Sequence, residues 1–117
     1  DRATQALTIY IKAADMGHTA KPAELTKEWT IRIHQEFFAQ GAEELLLGMP
    51  ITPLCDRSTT NIPKAQVGFL QCIVKPLFAA VYHYIPTEGI QDDVLDQLES
   101  NIARWKSSSP IVTNDLI

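Results

Sequence analysis

The chain has 117 residues, 45% of them hydrophobic, and a formal net charge of -4. That length suits one domain or a piece of a larger one, with enough apolar content for a core. A slightly acidic chain without a Lys/Arg cluster excludes a general nucleic-acid or membrane-surface binder, since both need a concentrated basic face.

No apolar run approaches the ~20 residues of a membrane span, and the first residues do not read as a signal peptide. Cys55 and Cys72 lack CxxC spacing and have apolar neighbours, the pattern of reduced core cysteines in a cytoplasmic protein. The chain opens on Asp1, which suggests that it is cut from something longer or processed.

The pattern is helical almost throughout, so the predicted fold class is all-α. A first helix spans about Ala3 to Ala14, and Thr19 to Pro22 breaks the pattern, with Pro22 suited to a first turn. A second helix covers about Ala23 to Gln40. Leu25, Trp29, Ile33 and Phe37 recur every fourth residue as its predicted buried stripe, with Thr26, Arg32 and Gln35 off it. Gly41 reads as its C-cap, and Glu43 to Leu47 as a short separate turn. "GMPITPLCDR" is a proline-bound loop, apolar enough at Met49, Ile51 and Leu54 to predict that it is packed down. A third helix runs from about Lys64 to Tyr84, with Pro76 set to kink or divide it. A fourth covers about Ile90 to Trp105, with Val94, Leu95, Leu98, Ile102 and Trp105 facing inward. The tail from residue 107 reads as loose.

Asp15 and His18 are three apart, close enough to share a helical turn. A carboxylate and an imidazole there can hold a metal or polarise a water. A polar helix end is the better explanation of the pair alone, because a metal needs three or four ligands and His34 and His83 are isolated. Gln66 and Phe69 also share a helix face. A carboxamide pairs with a purine edge and a ring stacks on the base; on this helix alone they read as a surface glutamine and a core phenylalanine. Trp29, Phe37 and Phe38 read as core, although Ile33 and Phe37 would line a cleft if the second helix faces the third.

Four blocks in order, "KAADMGHTAKP", "EWTIRIHQEFFAQG", "GMPITPLCDR" and "IPKAQVGFLQCIVKPLF", together with "LDQLESNIARWKS", resemble the C-terminal part of the catalytic domain of class I cyclic nucleotide 3′,5′-phosphodiesterases. The likeness runs from about Leu7 to Lys106, within a single portion of that domain spanning residues 1–117. It implies hydrolysis of cAMP or cGMP to the 5′-monophosphate, with two divalent metals, zinc with magnesium or manganese. Asp15 matches the ligand of the tightly bound metal. Gln66 matches the residue that hydrogen-bonds the purine. Phe69 and Ile33 match its two apolar faces, Phe37 and Leu54 the pocket wall, and His18 a position near the nucleotide. Ala42 stands where an acidic residue is usual, and Thr19 where many members carry Pro.

The family's general-acid His and its other metal ligands lie upstream of the matching segment. The resemblance therefore implies a missing N-terminal half as partner, and no catalytic residue in this chain beyond the metal ligand. Alone, the chain is expected to be inactive. The rival readings are a non-catalytic helical ligand-binding module and a scaffold.

Overall fold

The computed structural model describes residues 1–109, so the predicted loose tail falls largely outside the described residues. Asp1 caps the first helix, α1 (Arg2–Asp15), by accepting a hydrogen bond from the Ala3 amide at 3.0 Å. A 3₁₀ turn, Gly17–Ala20, separates it from α2 (Ala23–Leu46). A loop leads to Asn61, whose side chain accepts from the Lys64 amide at 3.0 Å and starts α3 (Ile62–Phe69), with Pro63 in the first turn. A π-helical segment, Leu70–Val74, joins α3 to α4 (Lys75–Tyr84). The last helical run is α5 (Glu88–Ile90), a second π segment (Gln91–Leu95) and α6 (Asp96–Ser107). The fold is all-α, and no strand occurs among the described residues.

The third helix is not divided at Pro76, but it is locally widened just before it. Pro lacks the amide that would bond back one turn, and the wider π turns lie immediately before it. Gln66, Leu70, Val74 and Phe78 are buried at every fourth position across this join. Leu70, Val74 and Phe78 meet Leu98, Ile102 and Trp105 of α6 and Ala13 of α1 in the main core. Burying each large apolar side chain contributes about 1.5–3 kcal/mol. A smaller cluster, Phe38 with Ile62 and the partly buried Ile31, ties α2 to the start of α3.

The structure corrects several expectations. α2 continues through Gly41 to Leu46, so Glu43 to Leu47 is its last turn and its terminating glycine is Gly48, at φ 68°. Gly41 is a point of close approach: a Cβ there would lie 2.0 Å from the Cys55 carbonyl oxygen. In the loop Cys55 is buried, whereas Met49 and Leu54 are exposed and not packed down. Cys72 is exposed, not a core cysteine, and both thiols are free. Ile62–Tyr84 is one helical stretch of 23 residues, long and apolar enough by length and composition to cross a membrane. Lys64 and Lys75 break its apolar residues into shorter runs in the sequence. Its inner face packs on α6, and an ion pair joins Lys75 to Glu99.

The helices form a slab of 47 × 35 × 18 Å with a radius of gyration of 16.1 Å. A sphere-like chain of this length would have about 13 Å. The excess reflects the flat shape, which leaves large apolar side chains on the broad surfaces.

Candidate functional site

α1 ends at Asp15, and the chain turns through Met16 (φ -95°, ψ 9°) into the 3₁₀ turn. Asp15 and His18 are thereby brought together. With Ala14, Gly17, Lys21 and Trp29 they line a hollow of about 420 Å³. The His18 ring centroid lies 6.3 Å from that of Trp29, tilted by 49°. The Arg32 guanidinium also lies over the Trp29 ring, 5.4 Å from its centroid. Asp15 is exposed and no cation pairs with it among the described residues. A carboxylate beside the last carbonyls of a helix sits where the backbone is already electronegative, a position that favours a cation.

A buried polar cluster holds this corner in place. The Thr19 hydroxyl donates to the Met16 carbonyl at 2.6 Å. The Thr26 hydroxyl lies 3.0 Å from the carbonyls of both His18 and Lys21. From α6, the Asn101 amide donates to the carbonyls of Thr19 (3.0 Å) and Lys21 (2.9 Å). Its oxygen accepts from Gln97 at 3.0 Å. Thr19, Thr26 and Asn101 are all buried. Sequence reading assigned Asn101 and Thr26 no role. A polar residue on the inner face of α6, between Leu98 and Trp105, was the available signal.

The stripe on α2 is rotated by one position from the predicted one. Thr26, Thr30, His34, Phe38 and Gly41 face inward. Leu25 and Trp29 are exposed, and Ile33 and Phe37 are half-buried. The apolar stripe is real, but it looks away from the core and forms a wall on the slab surface. The inward threonines are tolerated because Thr26 is hydrogen-bonded. His34 Nδ1 lies 2.9 Å from the Thr30 carbonyl. A carbonyl only accepts, so Nδ1 carries the proton. The other nitrogen, Nε2, is buried without a partner among the described residues. Burial holds the His34 pKa below its ordinary value, against the opposing effect of the Thr30 hydrogen bond.

Gln66 is 9% exposed, so it is not the surface residue that its helix alone suggests, and no hydrogen bond engages its carboxamide among the described residues. Phe69, three residues on, is half-buried against the main core. Neither lines the hollow at Asp15, and nor do Ile33 and Phe37. Leu54 is exposed at φ 70°. Thr52 to Cys55 form a turn closed by the Cys55 amide on the Thr52 carbonyl at 2.9 Å, with Pro53 and Leu54 in the middle. Positive φ at a side-chain-bearing residue costs about 1–2 kcal/mol. Glu44 braces the turn: its carboxylate accepts from the Thr52 amide (2.7 Å), the Thr52 hydroxyl (2.5 Å) and Gln40 (3.0 Å). These bonds, those of Thr52 first, hold the Glu44 pKa below the usual carboxylate value.

No group of three or more His, Cys, Asp or Glu placed to hold a metal occurs among the described residues. Asp15 would supply one ligand where a divalent ion needs three or four. These residues alone therefore do not form a metal centre.

The sequence profile described as 3′5′-cyclic nucleotide phosphodiesterase matches residues 1–98. Among curated proteins, the chain is 39% identical over 106 residues to the "Probable 3′,5′-cyclic-AMP phosphodiesterase pde-4" of Caenorhabditis elegans, covering 91% of this chain and 15% of that protein. It is 40% identical over 93 residues to the "Dual specificity calcium/calmodulin-dependent 3′,5′-cyclic nucleotide phosphodiesterase 1C" of Mus musculus and of Homo sapiens, covering 80% of this chain and 13% of each of those proteins. The profile match covers most of the chain, which therefore belongs to the 3′5′-cyclic nucleotide phosphodiesterase family.

Proposed function

We propose that the complete protein hydrolyses 3′,5′-cyclic nucleotides to 5′-monophosphates, and that residues 1–117 are the portion of its catalytic domain that holds the nucleotide. Gln66 carries this reading. Gln66 is 9% exposed, and its carboxamide has no hydrogen-bond partner among the described residues, which leaves its donors and acceptor open to a ligand. A base edge supplies both a donor and an acceptor, and Phe69 offers a ring one turn away for stacking. The outward apolar wall of α2, with Ile33 and Phe37, and the strained Leu54 turn support a ligand-facing surface, because strain of this kind is kept where the surroundings fix it for a purpose. His18 and Trp29 line the hollow at the end of α1, where His18 contacts the nucleotide.

Asp15 is the metal ligand in this reading. The remaining ligands and the general acid come from parts of the complete protein outside these residues. When bound, the metals supply an activated water. The contribution of this chain is positioning of the nucleotide. The two free thiols accord with a cytoplasmic setting.

The test uses cAMP and cGMP turnover with metal analysis on the complete protein. Asp15→Ala should lower metal content and remove most activity. Gln66→Ala should weaken kcat/KM by about 1–3 kcal/mol. Phe69→Ala should cost a similar amount, and the double variant less than the sum. Full kcat/KM for both nucleotides in Gln66→Ala would reject the purine contact. Normal metal content in Asp15→Ala would leave that residue an ordinary helix end.

A further inference from the structure

Asn101 lies outside the stretch matched by the family profile, which ends at residue 98. It is 1% exposed, and its amide reaches back 82 positions to the Thr19 carbonyl and 80 to that of Lys21. The amide has two hydrogens, and two carbonyls take them. Reversing the amide would set its oxygen against both carbonyls, so the surroundings admit one orientation. The Thr26 hydroxyl, 3.4 Å from the Asn101 nitrogen, extends the same hub to the His18 carbonyl. The carbonyls of His18 and Thr19 in the 3₁₀ turn, and of Lys21 just after it, are thus fixed from two other helices.

We propose that Asn101, acting with Thr26, is a positioning residue for nucleotide binding: it holds the backbone of the 3₁₀ turn so that His18 stays over Trp29 and faces the hollow. This rests on the reading above that His18 contacts the nucleotide. Asp15 belongs to α1 and is held by helical hydrogen bonds, whereas the hub grips only the carbonyls from His18 onward. Loss of the hub therefore acts on KM and leaves metal content unchanged. A role confined to stability predicts the opposite split, because unfolding some molecules lowers apparent kcat while the folded remainder keeps its KM.

The experiment uses the complete protein. Asn101→Asp preserves shape but replaces the two donated hydrogens with a carboxylate. Thr26→Val removes the hydroxyl at constant shape, and Thr26→Ser restores it, so the proposal stays testable if the Asp variant does not fold. Amide hydrogen exchange over residues 16–21, metal content, and kcat and KM for cAMP and cGMP are measured alongside His18→Ala. The expected result is faster exchange in that segment, KM raised roughly 10- to 100-fold as for a small misplacement, kcat and metal content close to the parent, and recovery in Thr26→Ser. Unchanged exchange overturns the proposal, as does faster exchange with unchanged KM while His18→Ala raises KM. If His18→Ala also leaves KM unchanged, the nucleotide contact itself is wrong and the proposal falls with it.

Discussion

His34 shows how a single side chain sets a pH limit on this fold. Its ring sits edge-on to Phe37 and Phe38, at centroid distances of 5.7 and 6.0 Å. Neutral imidazole fits there; protonated imidazole would place a second donor, Nε2–H, where no acceptor lies among the described residues. The folded pKa is lowered from 6.5 by burial. Between the folded and unfolded values the unfolded chain binds more protons, so stability rises with pH in that window. The contribution is complete above about 6.5 and is lost as pH falls toward the folded pKa. Melting temperatures at about pH 7.5 and 5.5 should therefore drop more for the parent than for His34→Phe. Equal drops would show that His34 is protonated without penalty. Asp15, Gln66 and Phe69 are candidates that the sequence offers through residue type and order, and their roles remain the proposals made above. Asn101 was not legible at this scale: its partners lie about 80 positions away, and no local period announces a contact at that range.

At the scale of elements, periodicity located the long helical runs but missed the 3₁₀ turn Gly17–Ala20 and gave the wrong face of α2. Apolar spacing marks a continuous stripe from Leu25 to Phe37, but Leu25 and Trp29 are exposed, so spacing alone does not say which face packs on the core. The inward stripe is instead built from Thr26, Thr30 and His34; Thr26 bonds to the His18 carbonyl and His34 to the Thr30 carbonyl. Gly41 was misread for a related reason, since glycine marks both helix ends and close contacts. The two uses separate by substitution. Gly41→Ala puts a methyl 2.0 Å from a backbone oxygen that cannot swing aside, and should destabilise by about 3 kcal/mol or more. Gly68→Ala, also within a helix but with nothing within 4 Å, should stabilise by about 0.8–1 kcal/mol through helix propensity. Denaturant melts of both variants check this, and a mild effect at Gly41 would mean that the Cys55 loop moves freely.

For the whole molecule, the flat shape and the sparse ligand set point the same way. Trp29, Leu45, Leu46, Leu47 and Ile73 are large apolar side chains left exposed. Such patches on an isolated chain promote association. The 117-residue chain alone should therefore scatter light as oligomers at micromolar concentration and turn over neither cyclic nucleotide. Turnover above a metal-only blank that Asp15→Ala removes would contradict the single-ligand argument, and a clean monomer would contradict the apolar-surface argument. All-α architecture was legible at this scale. The slab was not, because hydrophobic content measures how much can be buried and not whether these residues alone bury it.

The π segment between α3 and α4 bears on how this chain can change length. In a regular α-helix, positions four apart drift by about 40° at each step, so Gln66, Leu70, Val74 and Phe78 would wind off the core. The wider turn over Leu70–Val74 takes up that drift. A π turn behaves as one residue inserted into an α-helix, and it marks a place where one residue can be lost with little disturbance. Deleting the exposed Cys72 should let the segment close as an ordinary α-helix with Phe78 and Val81 still facing inward. Deleting Ala79, beyond the π turn, leaves no slack and rotates Val81 away from the core. The helix thus has a built-in site for gain or loss of a residue, and melting temperatures of the two deletions should differ accordingly.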